Sequence, residues 1–154
     1  MNLLAPISSI MTTKIIALNP DDTLDMVKDI FDKNNIHHIP VVRHNTLLGL
    51  ISKHDFENFH NGLSTQFEDR FVNKTVLQMH KAKEIMVEKL AKLEPTDRIN
   101  VALEVFSLNR FHALPVIDNG ELVGIVTTHD IIKTLAKEDD IIRVGGIRWL
   151  GISD

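Results

Sequence analysis

The chain has 154 residues, of which 44% are hydrophobic and 25% charged, and its formal net charge is −4. A chain of this length buries roughly 70% of its extended surface on folding, which is enough for a hydrophobic core. It has no basic cluster that would displace counterions from nucleic acid, so we expect no nucleic-acid partner. The absence of cysteine excludes disulfides, thiolate zinc sites and thiol catalysis.

The chain shows no membrane or export signal. Its N-terminal segment has no basic region, and Pro6 interrupts the only apolar stretch there. The apolar runs elsewhere fall far short of the roughly 18–20 residues that cross a bilayer. We therefore expect no membrane insertion and a cytoplasmic location.

One pattern occurs twice in the chain. Residues 11–55 align with residues 86–130 at a constant offset of 75 without a gap, and 14 of the 45 pairs are identical. Such self-similarity indicates a duplicated structural unit. The identical pairs include Met11/Met86, Pro20/Pro95, His37/His112, Pro40/Pro115, Gly49/Gly124, His54/His129 and Asp55/Asp130.

Each repeat opens with a short apolar segment, KIIAL at 14–18 or KLAKL at 89–93, which predicts a strand that ends before Pro20 or Pro95. Asp22 and Asp97 follow where a helix N-cap is expected. Apolar residues then recur at helical spacing, so each repeat should contain an amphipathic helix. These apolar residues are Leu24, Val27, Ile30 and Phe31, and their counterparts Ile99, Ala102, Val105 and Phe106.

Two further apolar runs predict a β-hairpin in each repeat. The second hairpin has Asn119-Gly120 between its strands, which favours a tight turn because glycine tolerates positive φ. Another helix should begin near residues 53 and 128. Each unit is then β-α-β-β-α, and the fold class is α/β or α+β, with helices covering the strands.

The boundaries follow from the repeat. We predict a first unit at 7–62, a linker at 63–81, a second unit at 82–138 and a C-terminal tail at 139–154. The tail is rich in β-forming residues and contains the only tryptophan, Trp149. It could add an edge strand or contact a neighbouring subunit, and the sequence does not distinguish these.

The heptapeptides GLISKHD (49–55) and GIVTTHD (124–130) have two interpretations. Ser52 or Thr127 with an acidic residue three positions later, just before a helix, forms a capping box. Alternatively, an ionised aspartate accepts hydrogen bonds only and suits two adjacent ribose hydroxyls, while the strand glycine lets a ring or sugar approach the backbone. Local sequence leaves both open.

The duplicated unit, the IPVV and LPVI segments before each hairpin, and the closing Gly-h-h-Ser/Thr-x-x-Asp motif (h, hydrophobic) together resemble a pair of cystathionine-β-synthase-type (CBS) domains. The resemblance covers roughly residues 7–138. It implies two units packed sheet-to-sheet about a pseudo-two-fold axis, with two clefts for an adenosyl compound such as AMP, ADP, ATP or S-adenosylmethionine. It implies that the ribose is bound by Ser52, Asp55, Thr127 and Asp130.

The resemblance also implies an adenine slot and a phosphate site. The slot residues would be Ile15, Ile16, His38, Ile39, Leu90, Ala91, Ala113 and Leu114. The phosphate would be bound by His37, Lys53, His54, His112 and His129. Some relatives carry His-Arg where this chain has His37-His38 and His112-Ala113, and the missing arginine weakens the expectation of triphosphate binding.

The function implied is regulatory: an adenine nucleotide acts as a ligand, and there is no catalytic cofactor. A homodimer is expected, together with a possible partner enzyme or transporter. No metal site is expected, because adjacent histidines on a strand point to opposite faces. Met11 and Met86 are interpreted as packing residues.

Two alternatives remain. One is an enzyme acting on a nucleotide with His54 or His129 as the base, but the chain has no glycine-rich phosphate loop and no evident nucleophile–base pair. The other is a scaffold that binds no small molecule.

Overall fold

The computed structural model describes residues 1–66 and 74–137. The prediction that the tail at 139–154 adds an edge strand or contacts a subunit lies outside these residues. The helices are α1 (Leu24–Lys33), α2 (Lys53–Gln66), α3 (Lys74–Gln78), α4 (Ile99–Ser107) and α5 (Thr128–Lys137), and the strands are β1 (His38–Arg43), β2 (Thr46–Ser52), β3 (Ala113–Asp118) and β4 (Glu121–Thr127).

Each unit contains an antiparallel hairpin, β1 with β2 and β3 with β4. The two loop residues have positive φ in both hairpins: 48° and 65° at His44 and Asn45, and 48° and 83° at Asn119 and Gly120. Positive φ at both positions is the geometry of a type I′ turn, whose twist matches that of the strands. The predicted turn at Asn119-Gly120 is confirmed.

The first strand predicted in each unit is reduced to a single bridge. Leu18 pairs in parallel with Val41, and Leu93 with Val116. Extending the first bridge would require an N–H from Pro20 on one side and from Pro40 on the other. Proline has none, so the ladder stops after one residue. Pro95 and Pro115 stop the second bridge in the same way.

The prediction that Asp22 and Asp97 cap the following helices is wrong. Helices α1 and α4 start after Thr23 and Arg98, neither of which makes a side-chain cap. The Asp22 carboxylate instead accepts the Asn19 N–H at 2.8 Å in the preceding turn. Asp97 accepts the Glu94 N–H at 2.7 Å.

The free N–H groups at these helix starts are satisfied from the other half of the chain. The Leu24 N–H donates to the His80 carbonyl at 3.1 Å, and the Ile99 N–H donates to the Ala5 carbonyl at 3.0 Å. A distant backbone segment therefore satisfies donors that a side-chain cap would otherwise satisfy.

Each unit is completed by the segment that precedes the other unit. We call residues 5–12 and 80–87 the lead-in segments. The first contains a short 3-10 helix at Ile7–Ser9, and the second contains one at Ala82–Glu84. Ile7 is 0% exposed in the core of the second unit, whereas Ala82 is 0% exposed in that of the first. The unit boundaries remain a prediction, but the two halves exchange these segments.

The two units also meet directly. Thr12 forms a bridge with Ile125, and Val87 forms the equivalent bridge with Leu50, each through two backbone hydrogen bonds of 2.9–3.0 Å. Leu50 and Ile125 share a small apolar cluster with Ala113 between the units. These paired contacts repeat at the offset of 75, which confirms the predicted mixed α/β architecture of two tandem units with pseudo-two-fold symmetry.

The strand glycines accommodate methionine from the opposite lead-in segment. A methyl group at Gly49 would lie 2.8 Å from Met86 Sδ, and one at Gly124 would lie 2.5 Å from Met11 Sδ. The close approach expected at these glycines is therefore made by a protein side chain. The interpretation of Met11 and Met86 as packing residues agrees with this contact.

None of the helices within residues 1–66 and 74–137 combines the length and apolar character needed to cross a membrane.

Gly124→Ala should lower the free energy of unfolding by about 1–3 kcal/mol, since the new methyl group overlaps Met11 in a packed interface. Gly62→Ala is the matched control, because Gly62 lies in α2 with nothing within 4 Å of the added methyl group. It should raise stability by up to about 1 kcal/mol. Urea unfolding of both variants measures the difference.

Adding Met11→Ala to Gly124→Ala should cost less than the sum of the two single changes, because the smaller side chain removes the overlap. Strict additivity, or similar effects of Gly62→Ala and Gly124→Ala, would contradict the proposed packing role of the glycine.

Candidate functional site

The closing motif of the first unit lies where β2 ends and α2 begins. The Asp55 Oδ2 accepts hydrogen bonds from the Ser52 N–H at 3.0 Å and the Ser52 hydroxyl at 2.5 Å. The Asp55 N–H in turn donates to the Ser52 Oγ at 3.0 Å. Both side chains are half-buried.

The second unit repeats this geometry where β4 ends and α5 begins. The Asp130 Oδ2 accepts the Thr127 N–H at 2.8 Å and the Thr127 hydroxyl at 2.7 Å. The Asp130 N–H donates to Thr127 Oγ1 at 3.2 Å. The capping-box interpretation is thus confirmed in both units.

The capping role leaves some hydrogen-bond acceptor sites of the Asp55 and Asp130 carboxylates unused. An ionised carboxylate has about four lone-pair sites, and the cap uses one of its two oxygens. Each half-buried aspartate therefore keeps acceptor capacity for an additional donor such as a sugar hydroxyl. The two interpretations of the heptapeptide are compatible.

The segment before each hairpin is attached to the same helix start. The His37 carbonyl accepts the Lys53 N–H at 2.8 Å, and the His112 carbonyl accepts the Thr128 N–H at 3.2 Å. In the strand register His38 lies opposite Ser52, and Ala113 lies opposite Thr127. The predicted ribose residues and the preceding histidine segment thus share one end of each hairpin. The side chains of His37, His54, His112 and His129 are exposed.

The two sites differ at His38 and its counterpart Ala113. The pKa of His38 is lowered from 6.5 to about 4, mainly by burial and to a smaller extent by His112 and His37, while Asp55 acts in the opposite direction. His112 belongs to the second unit, so a residue of that unit contributes to the lowered pKa of His38. Ala113 has no ionisable side chain and is buried between the units.

The residues predicted to form the adenine slot are separated by the structure. Ile15, Leu90 and Ala113 pack together between the units. Ile39 and Leu114 are completely buried in the cores of their own units. Ala91 packs against the second core, and Ile16 is 38% exposed.

Two cavities each include one of the predicted site residues. One of about 210 Å³ lies between the units and includes Ile15; its other lining residues are Thr13, Ala17, Val42, Asn45, Leu122 and Val123. Thr13 and Ala17 are not among the site residues expected from the sequence. The alternation of an extended segment, which places residues 13, 15 and 17 on one side, is the signal that would have found them.

The other cavity, of about 360 Å³, lies between α1 and α2 and includes Lys53. Lys53, predicted to bind phosphate, thus also borders the helical side of the first unit. In the part of the chain that the structure describes, no three His, Asp or Glu side chains are grouped to hold a metal ion.

Comparison with known proteins agrees with the geometry. A family model described as the CBS domain matches residues 7–59 and 82–137. A CBS domain-containing protein of Dictyostelium discoideum is 29% identical over 135 residues, which cover 85% of this chain and 91% of the relative.

Two solved structures share the fold. The structure of CBSX2 in complex with AMP has a TM-score of 0.69 and 19% identity, covering 86% of this chain and 97% of that one. The CBS domain pair of a protein in complex with 5′-methylthioadenosine and S-adenosyl-L-methionine has a TM-score of 0.69 and 20% identity, covering 87% and 98%.

His38 should make stability depend on pH. Because its folded pKa is lowered, protonation favours the unfolded chain. The contribution of neutral His38 to the free energy of unfolding is complete above about pH 6.5 and is lost as the pH falls towards about 4. The shift corresponds to at most about 3 kcal/mol. His38→Ala, which installs the residue present at position 113, should reduce this acid sensitivity, as measured by urea unfolding from pH 7 to 4.5.

The matched control is His54→Ala, since His54 is exposed and should leave the pH profile unchanged. Parallel profiles for wild type and His38→Ala would show that His38 does not carry the effect.

Proposed function

The chain belongs to the CBS domain family, and on that basis we propose that it is a regulatory module that binds an adenosine-containing ligand between its two units and catalyses no reaction. The observation that carries this proposal is the pair of half-buried hydroxyl–aspartate motifs, Ser52 with Asp55 and Thr127 with Asp130. Each motif lies at the end of a strand that also contributes to the contact between the units.

The remaining contacts suit the other parts of such a ligand. Ile15, Leu90 and Ala113 supply an apolar surface between the units for the adenine ring. The exposed histidines His37, His54, His112 and His129, with Lys53, surround the ends of the hairpins and are the proposed phosphate contacts.

The ligands of the two solved structures support recognition of the adenosine part of a ligand, and not of one particular nucleotide. AMP, 5′-methylthioadenosine and S-adenosylmethionine share adenine and ribose but differ at the 5′ position. A ribose-binding motif explains affinity for all three. Histidine, unlike arginine, is mostly neutral at pH 7, so we propose a mono- or diphosphate, or an uncharged 5′ group, in preference to ATP.

The signal follows from where the ligand binds. A ligand between the units changes their relative arrangement only if it binds two arrangements unequally. We propose that this change is transmitted through a homodimer or to a partner enzyme or transporter in the cytoplasm.

A second candidate is a scaffold that binds no small molecule. The complete capping boxes favour it, because they explain the repeated serine or threonine and aspartate by helix stability alone. The two candidate functions predict different effects on ligand binding when the Asp55 or Asp130 carboxylate is removed.

Binding should stabilise the protein against heat. A ligand present at 100 times its Kd adds about 2.7 kcal/mol to the free energy of unfolding. That shifts Tm by roughly 5–10 °C for a domain of this size. We expect a shift with AMP, ADP, 5′-methylthioadenosine or S-adenosylmethionine and none with GTP, measured by thermal unfolding and confirmed by calorimetric titration.

Asp130→Asn and Asp55→Asn should identify the occupied cleft. Loss of a charged acceptor costs about 1.5–3 kcal/mol, or roughly 10- to 150-fold in Kd. Asp97→Asn is the matched control, because Asp97 also accepts a backbone N–H but in a turn at the start of α4. No shift with any ligand from folded protein would leave the scaffold as the better account.

Asp55→Ala and Asp130→Ala should each lower the stability of the ligand-free protein by about 1 kcal/mol, because each removes the carboxylate that accepts the Ser52 or Thr127 N–H in the capping box. Urea unfolding without ligand measures this loss, which must be separated from any loss of binding. A markedly unequal effect would contradict the equivalence of the two caps.

A further inference from the structure

The chain has no cysteine, so its sulfur chemistry is confined to five methionines. Only Met11 and Met86 occupy equivalent positions of the two repeats. The other three correspond, at the offset of 75, to apolar residues without sulfur: Met1 to Val76, Met26 to Val101 and Met79 to Leu4. A thioether at the position of Met11 and Met86 is therefore part of the plan of both units.

Each of these two side chains joins a lead-in segment to the opposite unit. Met11 packs against the core of the second unit, and Met86 packs against that of the first. Their sulfur atoms lie 2.5 and 2.8 Å from the places that a methyl group on Gly124 and Gly49 would occupy. The sulfur thus takes the space above the strand where other residues carry a Cβ. An unbranched, flexible thioether suits such an irregular gap.

An oxygen atom added to either sulfur would find neither space nor a free donor in the adjacent strand. Ile125 exchanges two backbone hydrogen bonds with Thr12, and Leu50 exchanges two with Val87. The N–H groups next to the two strand glycines are therefore already engaged. A polar group placed in an apolar contact without a partner is destabilising, and so is an extra atom in a packed interface.

Both sulfur atoms nevertheless remain accessible to a small oxidant. Met11 and Met86 are half-buried, and the residues that follow them, Thr12 and Val87, are exposed. Oxidation to the sulfoxide turns a flexible apolar side chain into a polar one and disrupts the packing that it made. The chemistry and the position together make these two contacts sensitive to peroxide.

We propose that Met11 and Met86 are reversible oxidation sites, and that their conversion to methionine sulfoxide by a peroxide loosens the exchange of lead-in segments. The thioether sulfur attacks one peroxide oxygen and forms the S=O bond. The O–O bond breaks, and the other oxygen leaves as hydroxide and takes up a proton to form water. The sulfur is oxidised by two electrons and the peroxide is reduced. Methionine sulfoxide reductases reverse the change.

The consequence concerns the contact between the units and does not depend on a bound ligand. The bridges of Thr12 with Ile125 and of Val87 with Leu50 follow directly after the two methionines. A sulfoxide that pushes the lead-in segment away from the strand glycine therefore strains the bridge beside it. The oxidised protein should be less stable than the reduced protein, and repair should restore it.

A time course of the wild-type full chain with hydrogen peroxide tests this directly. Peptide mass spectrometry gives the oxidised fraction at each methionine, and thermal unfolding of the same samples gives Tm. Met26 and Met79 are 45% and 75% exposed, so they should react first and leave Tm unchanged. As Met11 and Met86 react, Tm should fall by at least about 4 °C. Treatment with the two reductases, one for each sulfoxide epimer, should restore Tm.

Two double variants separate the sites. Met26→Leu with Met79→Leu keeps the proposed sites and should lose Tm on oxidation as the wild type does. Met11→Leu with Met86→Leu is the matched opposite, because leucine nearly conserves the volume of methionine and the exposed methionines remain. Peroxide should leave its Tm unchanged, with circular dichroism to verify folding.

Four results would overturn the proposal. The first is that Met11 and Met86 stay reduced in the folded wild type after Met26 and Met79 are fully oxidised. The second is that both are oxidised and Tm does not change. The third is an equal fall of Tm in the folded Met11→Leu, Met86→Leu variant. The fourth is that the reductases fail to restore Tm. The time course decides by itself if the leucine variant does not fold.

Discussion

The structure depends on the exchange of lead-in segments between the two halves of the chain. Ile7, which precedes the first unit, is buried in the core of the second, and Ala82, which precedes the second unit, is buried in the core of the first. Their N–H groups donate to the Asp97 and Asp22 carbonyls at 2.7 and 2.8 Å. The same segments satisfy the first N–H groups of α1 and α4. Neither half has a complete core or complete helix starts without the other, so the relative placement of the two units is set by backbone hydrogen bonds as well as by apolar contact. The relative position of the residues that would form a ligand site between the units is fixed by the same contacts.

The repeated heptapeptide serves several purposes at once, which explains why it occurs in both halves. Gly49 and Gly124 admit the methionine of the opposite lead-in segment. The hydroxyl and the aspartate, three residues apart, close the capping box at the start of α2 and α5. Packing and capping would each require parts of this motif without any ligand. The proposed ribose contact adds to these roles through the acceptor capacity that the carboxylate retains.

Function should be sought where the pseudo-symmetry is broken. His38 has a lowered pKa, whereas the equivalent residue Ala113 has no ionisable side chain and packs between the units. The helical sides differ in the same way, with Glu57 and His60 in one unit and the apolar Ile132 and Leu135 in the other. Two units built on one backbone plan thus carry different side chains between the units and on the outer surface.

The sequence by itself determined the features that depend on neighbouring residues. The amphipathic helices, the tight turn at Asn119-Gly120 and the capping boxes at Ser52 and Thr127 all follow from residues within a few positions of one another, and the repeat revealed the two-unit plan. Only the tertiary structure decided the hydrogen-bond and packing partners of residues that lie far apart in the sequence. The Asp22 carboxylate bonds within its own turn because the His80 carbonyl satisfies the start of α1 from the other half. The buried orientation of Ile39 and Leu114, which leaves Ile15, Leu90 and Ala113 as the apolar surface between the units, depends on which side of each hairpin faces its own core. An apolar run is compatible with burial on either side, so a local pattern cannot make that choice.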